Sequence, residues 1–328
     1  MQVYRSIQAI SLSQSACAIG MFDGIHLGHC RVLGNALQQA REKTLPSVVF
    51  SFANHPQLLI SQTPTQLLSS LDDRLNAFAQ LGFDHALILD FDDWLKNLSA
   101  QAFIEQILLG TLGVKSVTVG YDHRFGKNRA GDGEMLQKTG HSAGFCVQII
   151  DPVKIKDGLP NENGQIVSST LIRKLLTFGD LDQANELLGH AYTLCGVVEP
   201  GLQRGRQLGF PTANLAIEPH RLIPGNGTYG GAAILYNKRY AAVCNIGLSP
   251  TFGDQSLKRV EVHLLHYDDS PEFYGASLAF EFHLKIRAEQ KFDSVDALIA
   301  QIGKDCDTMQ AHWQQQEKQA DNPAQAVF

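Results

Sequence analysis

Paired cysteines, basic clusters and long apolar runs are all missing from this 328-residue chain. Its six cysteines, at 17, 30, 146, 195, 244 and 306, form no Cys-x-x-Cys pair. That excludes a paired-cysteine zinc site and gives no disulfide frame. Cys17, Cys146, Cys195 and Cys244 lie in apolar, strand-like runs and read as reduced, buried thiols. A formal net charge of −6 with no basic block argues against nucleic acid as a partner. No stretch approaches the roughly 18 apolar residues of a bilayer-spanning helix, so no membrane association is expected. Gln8, Ser11, Ser13 and Gln14 interrupt what would be the apolar core of a secretion signal, and the chain reads as cytoplasmic. No Gly-Lys-Ser/Thr closes a glycine loop, which removes a Walker A phosphate site. There is no internal repeat.

What is present is an ordinary globular composition, 44% hydrophobic and 18% charged, over a length that suits about two domains. As far as about residue 190, strands alternate with helices. "SACAIGMF" and "SVVFSF" are strand-like, and between them Val32, Leu33, Ala36, Leu37 and Ala40 share one helical face. "LDDRLNAFAQLG" reads as a helix ended by Gly82, "HALILDF" as a strand, and "AQAFIEQILLG" as a helix capped by Ser99. "SVTVGYD" and "FCVQII" continue the strand series. This alternation predicts an α/β domain with a parallel sheet covered on both faces. From residue 192 the period changes to two. "YTLCGVVEP", "TYGGAAILY", "RYAAVCNIG", "VEVHLLHY" and "ASLAFEFHLKIR" predict an antiparallel sandwich or small barrel. A closing helix follows, with Ser294 as its cap and a frayed polar tail after about residue 314. Two short helices in "STLIRKLLTFGDLDQANELLG" join the halves, which places the domains at 1–188 and 189–328.

Four strings carry chemistry. In "GMFDGIHLGH", residues 20–29, Gly24 and Gly28 let backbone approach a ligand where a helix begins. His26 and His29 could there donate to a phosphoryl group. A zinc site is the rival, but two histidines with only Asp23 nearby lack its third and fourth ligands; a plain glycine turn with surface histidines is the other alternative on the residues alone. In "SSTLIR", Ser169, Thr170 and Arg173 can form a phosphate clamp, or the hydroxyls can simply cap a helix. In "GLQRGRQLGFPTANL", residues 201–215, Gly201, Gly205 and Gly209 expose amides and Arg206 offsets charge. Thr212 and Asn214 point the same way and offer hard oxygens to Mg²⁺; the alternative is a hairpin loop entering a strand. Glu261, in an otherwise apolar strand, is either a general base with a raised pKa or the polar member of an alternating strand.

"GMFDGIHLGH", "FANHP", "VGYDHRFGKNRAGD" and "SSTLIR", followed in order by "GLQRGRQLGFPTANL", "NIGLSPTFG", "VEVHLL" and "KIRAEQKF", resemble the motifs of the bacterial bifunctional riboflavin kinase/FMN adenylyltransferase (FAD synthetase) family. The resemblance runs from about residue 18 to 305. It implies a Rossmann-like HxGH nucleotidyltransferase domain followed by a β-barrel kinase, using ATP, Mg²⁺, riboflavin and FMN and yielding FAD. It further implies that His26 and His29 contact ATP phosphates, helped by Gly20, Phe22, Gly24, Gly28, Ser169, Thr170 and Arg173, with Asp122 beside the reacting groups. His55, Pro56, Phe125 and Arg287 fall at flavin positions by the same likeness. Gly201, Gly205, Arg206 and Gly209 then cover ATP phosphates in the second half, Thr212 and Asn214 hold Mg²⁺-ATP, and Glu261 is the general base. Met21, Asn54, His123 and Thr228 depart from the family's strings. A kinase-only enzyme and a non-catalytic flavin-binding regulator are the competing readings. Oligomeric state is not legible in the sequence.

Overall fold

The computed structural model describes residues 1–56, 65–155, 165–200, 205, 208–249, 257–267 and 273–320. It divides into two units, Met1–Leu171 and Ile172–Phe328. In the first, β1 (Gln2–Tyr4), β2 (Ser15–Ile19), β3 (Ser47–Phe52), β4 (His85–Leu89), β5 (Val114–Gly120) and β8 (Cys146–Ile150) form one sheet in the order β1-β4-β3-β2-β5-β8. All neighbours in it are parallel. β6 (Arg124–Phe125) and β7 (Gly131–Asp132) make a small hairpin apart from it. The central strand β2 is buried along its whole length, as a parallel strand covered on both faces must be. Helix α1 (Leu27–Glu42) buries the five residues expected of it, Val32, Leu33, Ala36, Leu37 and Ala40. Helix α2 (Leu71–Leu81) starts on a Ser70–Asp73 capping box and ends where Gly82 turns left-handed, and α3 (Gly133–Ala143) is likewise capped by Asp132 and ended by a left-handed Gly144.

From β2 the chain winds one way through β3 and β4 and the other way through β5 and β8. The gap between β2 and β5 is therefore the point where the strand order reverses, the place at which open α/β sheets receive ligands. Both "GMFDGIHLGH" and "YDHRFG" leave the sheet there.

In the second unit six antiparallel strands close a barrel, β10-β13-β12-β11-β14-β9. These are β9 (Tyr192–Glu199), β10 (Ala213–Ile217), β11 (Gly227–Leu235), β12 (Lys238–Ser249), β13 (Leu257–Leu264) and β14 (Ser277–Arg287). Leu194, Ala213, Cys244, Val260, Val262, Phe280 and Phe282 are buried at alternate positions and fill the interior. The long helix α6 (Val295–Ala320) lies outside, with Met309 and Cys306 packed on Ala241, Val243, Leu284 and Ile286. Ser294 caps it as expected. No described helix is long and apolar enough to cross a membrane.

Several expectations needed correcting. Helix α6 continues past residue 314 to Ala320, held in part by Trp313 Nε1 donating to Glu317 one turn on. "AQAFIEQILLG" widens into a π-helix over Phe103–Thr111, where Thr111 Oγ1 donates to the Gln106 carbonyl five residues back. Cys146 is exposed, because β8 is an edge strand, and Cys195 is half-buried; Cys17 and Cys244 are buried. By packing alone the two units part between Leu171 and Ile172. Helix α4 (Ser169–Phe178) spans that point, and α5 (Leu181–Leu188) docks on the barrel, where Asn185 donates to the Phe282 carbonyl and accepts from Tyr192 N.

Arg287 binds Asp305 of α6, with Nε at 2.9 Å and 3.1 Å from the two carboxylate oxygens and a third contact of 2.9 Å from a terminal nitrogen. Asp305 is 2% exposed. Removing one partner of such a pair strands the other charge. Asp305→Ala is therefore expected to destabilise the barrel unit by about 3 kcal/mol in urea unfolding, through release of α6.

Candidate active sites

The first site is a turn. After β2 the backbone takes positive φ at Phe22 (54°), Gly24 (83°) and Ile25 (42°), and then His26 caps α1. Asp23 holds that shape. Its carboxylate accepts from Leu68 N (3.0 Å) and from Ser69 N and Oγ (both 3.0 Å), while Gly24 N donates to Ser69 Oγ at 2.8 Å. Asp23 is thus committed to folding the turn, and is not poised beside the histidines as a zinc ligand. His26 Nδ1 accepts from His29 N at 3.3 Å, and the two rings stack 3.6 Å apart. A Cβ on Gly28 would stand 3.1 Å from the His26 ring, so glycine is what seats the imidazole at the helix start. Phe22 is a core residue, 2% exposed and edge-on to His29 at 5.5 Å. Its side chain therefore orients a histidine from below, where the sequence had it touching phosphate. Gly20 makes room for the Phe22 ring, which a Cβ would meet at 2.9 Å.

Asp122 is exposed just beyond β5, across the strand-order reversal from this turn. Ser169 Oγ donates to the Asp23 carbonyl at 3.0 Å, so its proton is spent on the turn. The α4 cap is Ser168, which accepts from Leu171 N; Thr170 is exposed and Arg173 half-buried. Phe125 is 6% exposed and packs on Phe103 and His123, which places it in the core and not on an open flavin face. His55 and Pro56 are half-buried beyond β3. The neighbouring Asn54 ties that exit to the end of β4, donating to the Phe91 carbonyl and accepting from Phe91 N.

Sequence reasoning missed Arg74. It is 1% exposed and donates to Ser51 Oγ and to the carbonyls of Met21, Phe52 and Ala53, pinning the exits of β2 and β3 together. Burial pulls its pKa down to about 10, against the opposing pull of Asp23 and Asp73. The signal was present: Arg74 shares the inner face of α2 with Phe78, four residues on, where an apolar side chain belongs.

The second site is a polar row on the outside of the barrel. Asn214 of β10 is directly opposite Glu261 of β13, and Glu261 is opposite Asn245 of β12. Asn245 in turn faces Thr228, and Thr228 faces Arg287. Side chains directly opposite in adjacent strands share a face. The row therefore puts Asn214 and Glu261 side by side, and Thr212 enters from the same edge. Glu261 is not enclosed by apolar groups as the sequence suggested; it is 29% exposed and 3.5 Å from Arg259. Thr228 Oγ1 is buried with no hydrogen-bond partner among the described residues. The Arg287 guanidinium is held by Asp305 and lies over the Phe292 ring. Gly205 closes a tight turn on Phe210, whereas Gly209 has φ 85° and open space around it. Gly201 and Arg206 lie outside the described residues. Thr212 and Asn214 offer a hydroxyl and an amide carbonyl, hard oxygens that suit Mg²⁺.

Comparison with known proteins follows the same division. Residues 9–170 match the FAD synthetase family and residues 188–313 the riboflavin kinase family. The bifunctional riboflavin kinase/FMN adenylyltransferase of Bacillus subtilis (strain 168) is 34% identical over 295 residues, 89% of this chain and 90% of that one. That of Escherichia coli (strain K12) is 36% identical over 310 residues, 93% and 96% of the two chains. A crystal structure from Streptococcus pneumoniae, described as a macrolide-efflux protein, superposes with a TM-score of 0.82 at 28% identity, covering 94% of this chain and 98% of its own.

His123, the residue after Asp122, stacks on Phe125 at 5.7 Å, and burial, with Arg129 adding to it, lowers its pKa to about 4. In the unfolded chain a histidine titrates near 6.5. Between those values the unfolded state binds the extra proton, so stability is full above about pH 6.5 and falls as pH drops toward 4. His123→Phe is expected to flatten this part of the acid limb, measured as urea midpoints at pH 7 and pH 5.

Proposed function

The chain belongs to the bifunctional riboflavin kinase/FMN adenylyltransferase family, and it phosphorylates riboflavin to FMN and adenylylates FMN to FAD with ATP; from that premise we propose that residues 1–188 carry the adenylyl transfer and residues 189–328 the kinase reaction. The meeting of "GMFDGIHLGH" and "YDHRFG" at the ends of β2 and β5 is what most supports the first assignment. The FMN phosphate attacks the α-phosphorus of ATP and pyrophosphate leaves. The nucleophile is already an anion, so the site must position and stabilise charge more than accept a proton. His26 and His29 do this from the start of α1, where the first-turn amide of Gly28 and the helix dipole add to the field. Asp122 stands beside the reacting groups and Thr170 and Arg173 add phosphate contacts, with His55 and Pro56 toward the flavin.

In the kinase, Glu261 accepts the proton of the riboflavin 5′-hydroxyl as that oxygen attacks the γ-phosphorus in line. Exposure of Glu261 to the substrate side supports this role better than enclosure would, since a general base must reach its proton. Thr212 and Asn214 would hold Mg²⁺, which when bound offsets phosphate charge. Gly201, Gly205, Arg206 and Gly209 cover the nucleotide. Six cysteines, none of them in a disulfide, fit a cytoplasmic enzyme.

Chromatography of products from riboflavin, ATP and Mg²⁺ tests the whole reading. FMN followed by FAD is expected. FMN alone would show that Met21, Asn54 and His123 have disabled the first site, and flavin binding without ATP consumption would make the protein a regulator. Glu261→Ala is expected to lower FMN formation by at least about 100-fold, the scale of a lost general base, while FAD formation from supplied FMN persists. His29→Ala should do the reverse. Loss of both activities in either variant would count against separate sites.

A further inference from the structure

We propose that His263 is a positioning residue of the kinase, and that it sets the Thr212–Asn214 segment against Glu261. The inference rests on the reading that this segment holds the metal-nucleotide. β10 and β13 pair only over Ala213–Val262 and Asn214–Glu261. The ladder stops there for a covalent reason: Pro211, just ahead, has no N–H to donate. The segment carrying Thr212 would then be tethered from one side only.

His263 ties the segment down from its side chain instead, through the Pro211 carbonyl. Its Nδ1 lies 2.7 Å from the Pro211 carbonyl, and since a carbonyl only accepts, the ring must donate through Nδ1–H. Its ring meets Phe210 edge-on at 5.6 Å. Burial lowers the His263 pKa and so favours the neutral ring, while the bond to the Pro211 carbonyl works in the opposite direction. On the other side of the same turn, Phe210 N donates to the Gly205 carbonyl at 2.8 Å. A Cβ at Gly205 would collide with the Phe210 carbonyl and come within 3.3 Å of Thr212 Oγ1. Glu261 and His263 are two apart on one strand and therefore on one face. One strand thus carries the general base and the group that orients the nucleotide-binding segment beside it.

Three substitutions separate this from packing. Asparagine places an amide nitrogen close to the Nδ1 position, whereas glutamine places it one bond further out. His263→Ala is expected to raise the KM for MgATP by about five- to tenfold, the scale of one neutral hydrogen bond, with a smaller change in kcat and unaltered FAD formation from supplied FMN. His263→Asn should recover most of that loss and His263→Gln should not. An unchanged KM in His263→Ala overturns the proposal, as does equal impairment of the asparagine and glutamine variants. If the alanine variant fails to fold its barrel, the asparagine–glutamine contrast decides alone. Asn214→Ala serves as the separate control: an unchanged KM for MgATP there refutes the underlying reading, whatever His263 does.

Discussion

The placement of both histidines in the first unit depends on a backbone turn that two ordinary side chains should resist. Phe22 and Ile25 both sit at positive φ, at a cost of about 1–2 kcal/mol each. Against this stand the bonds to the Asp23 carboxylate, each charge-assisted and worth about 1.5–3 kcal/mol. The bonds win, and the turn is held. Its shape drives Phe22 into the core, sets His29 on the Phe22 ring edge and His26 on His29, and delivers both imidazoles to the start of α1.

The barrel meets a similar demand by different means. Antiparallel register lines up Asn214, Glu261, Asn245 and Thr228 across four strands without any special backbone. Alternation keeps that row outside while Val260 and Val262, the neighbours of Glu261, fill the interior. The irregular part is the edge, where Pro211 ends the pairing and side chains take over. In both units buried or half-buried polar side chains fix the backbone beside the candidate site: Asp23, Ser69 and Arg74 in one, His263 in the other.

Several residues whose type suggested ligand contact prove to be framework. Phe22, Phe125 and Arg287 all look like binding groups when read as letters. An aromatic ring suits a core as well as a flavin, and an arginine suits a buried aspartate as well as a phosphate. Ser169 is similar, since its hydroxyl satisfies the Asp23 carbonyl. The chemistry of a side chain states what it can bind; only its neighbours state what it does bind.

The sequence by itself determined the two periods, a parallel α/β half followed by an antiparallel half, the capped helices and the ordered motif strings, because these are local or periodic properties; closure of the second half into a barrel was decided by the tertiary structure. The tertiary structure alone decided that β2 and β5 are neighbours across a reversal of strand order, that Arg74 is buried among carbonyls, and that His263 reaches back to Pro211. Those facts join residues 21 to 100 positions apart. No spacing rule covers such distances, since sheet order and packing, not chain proximity, bring the partners together.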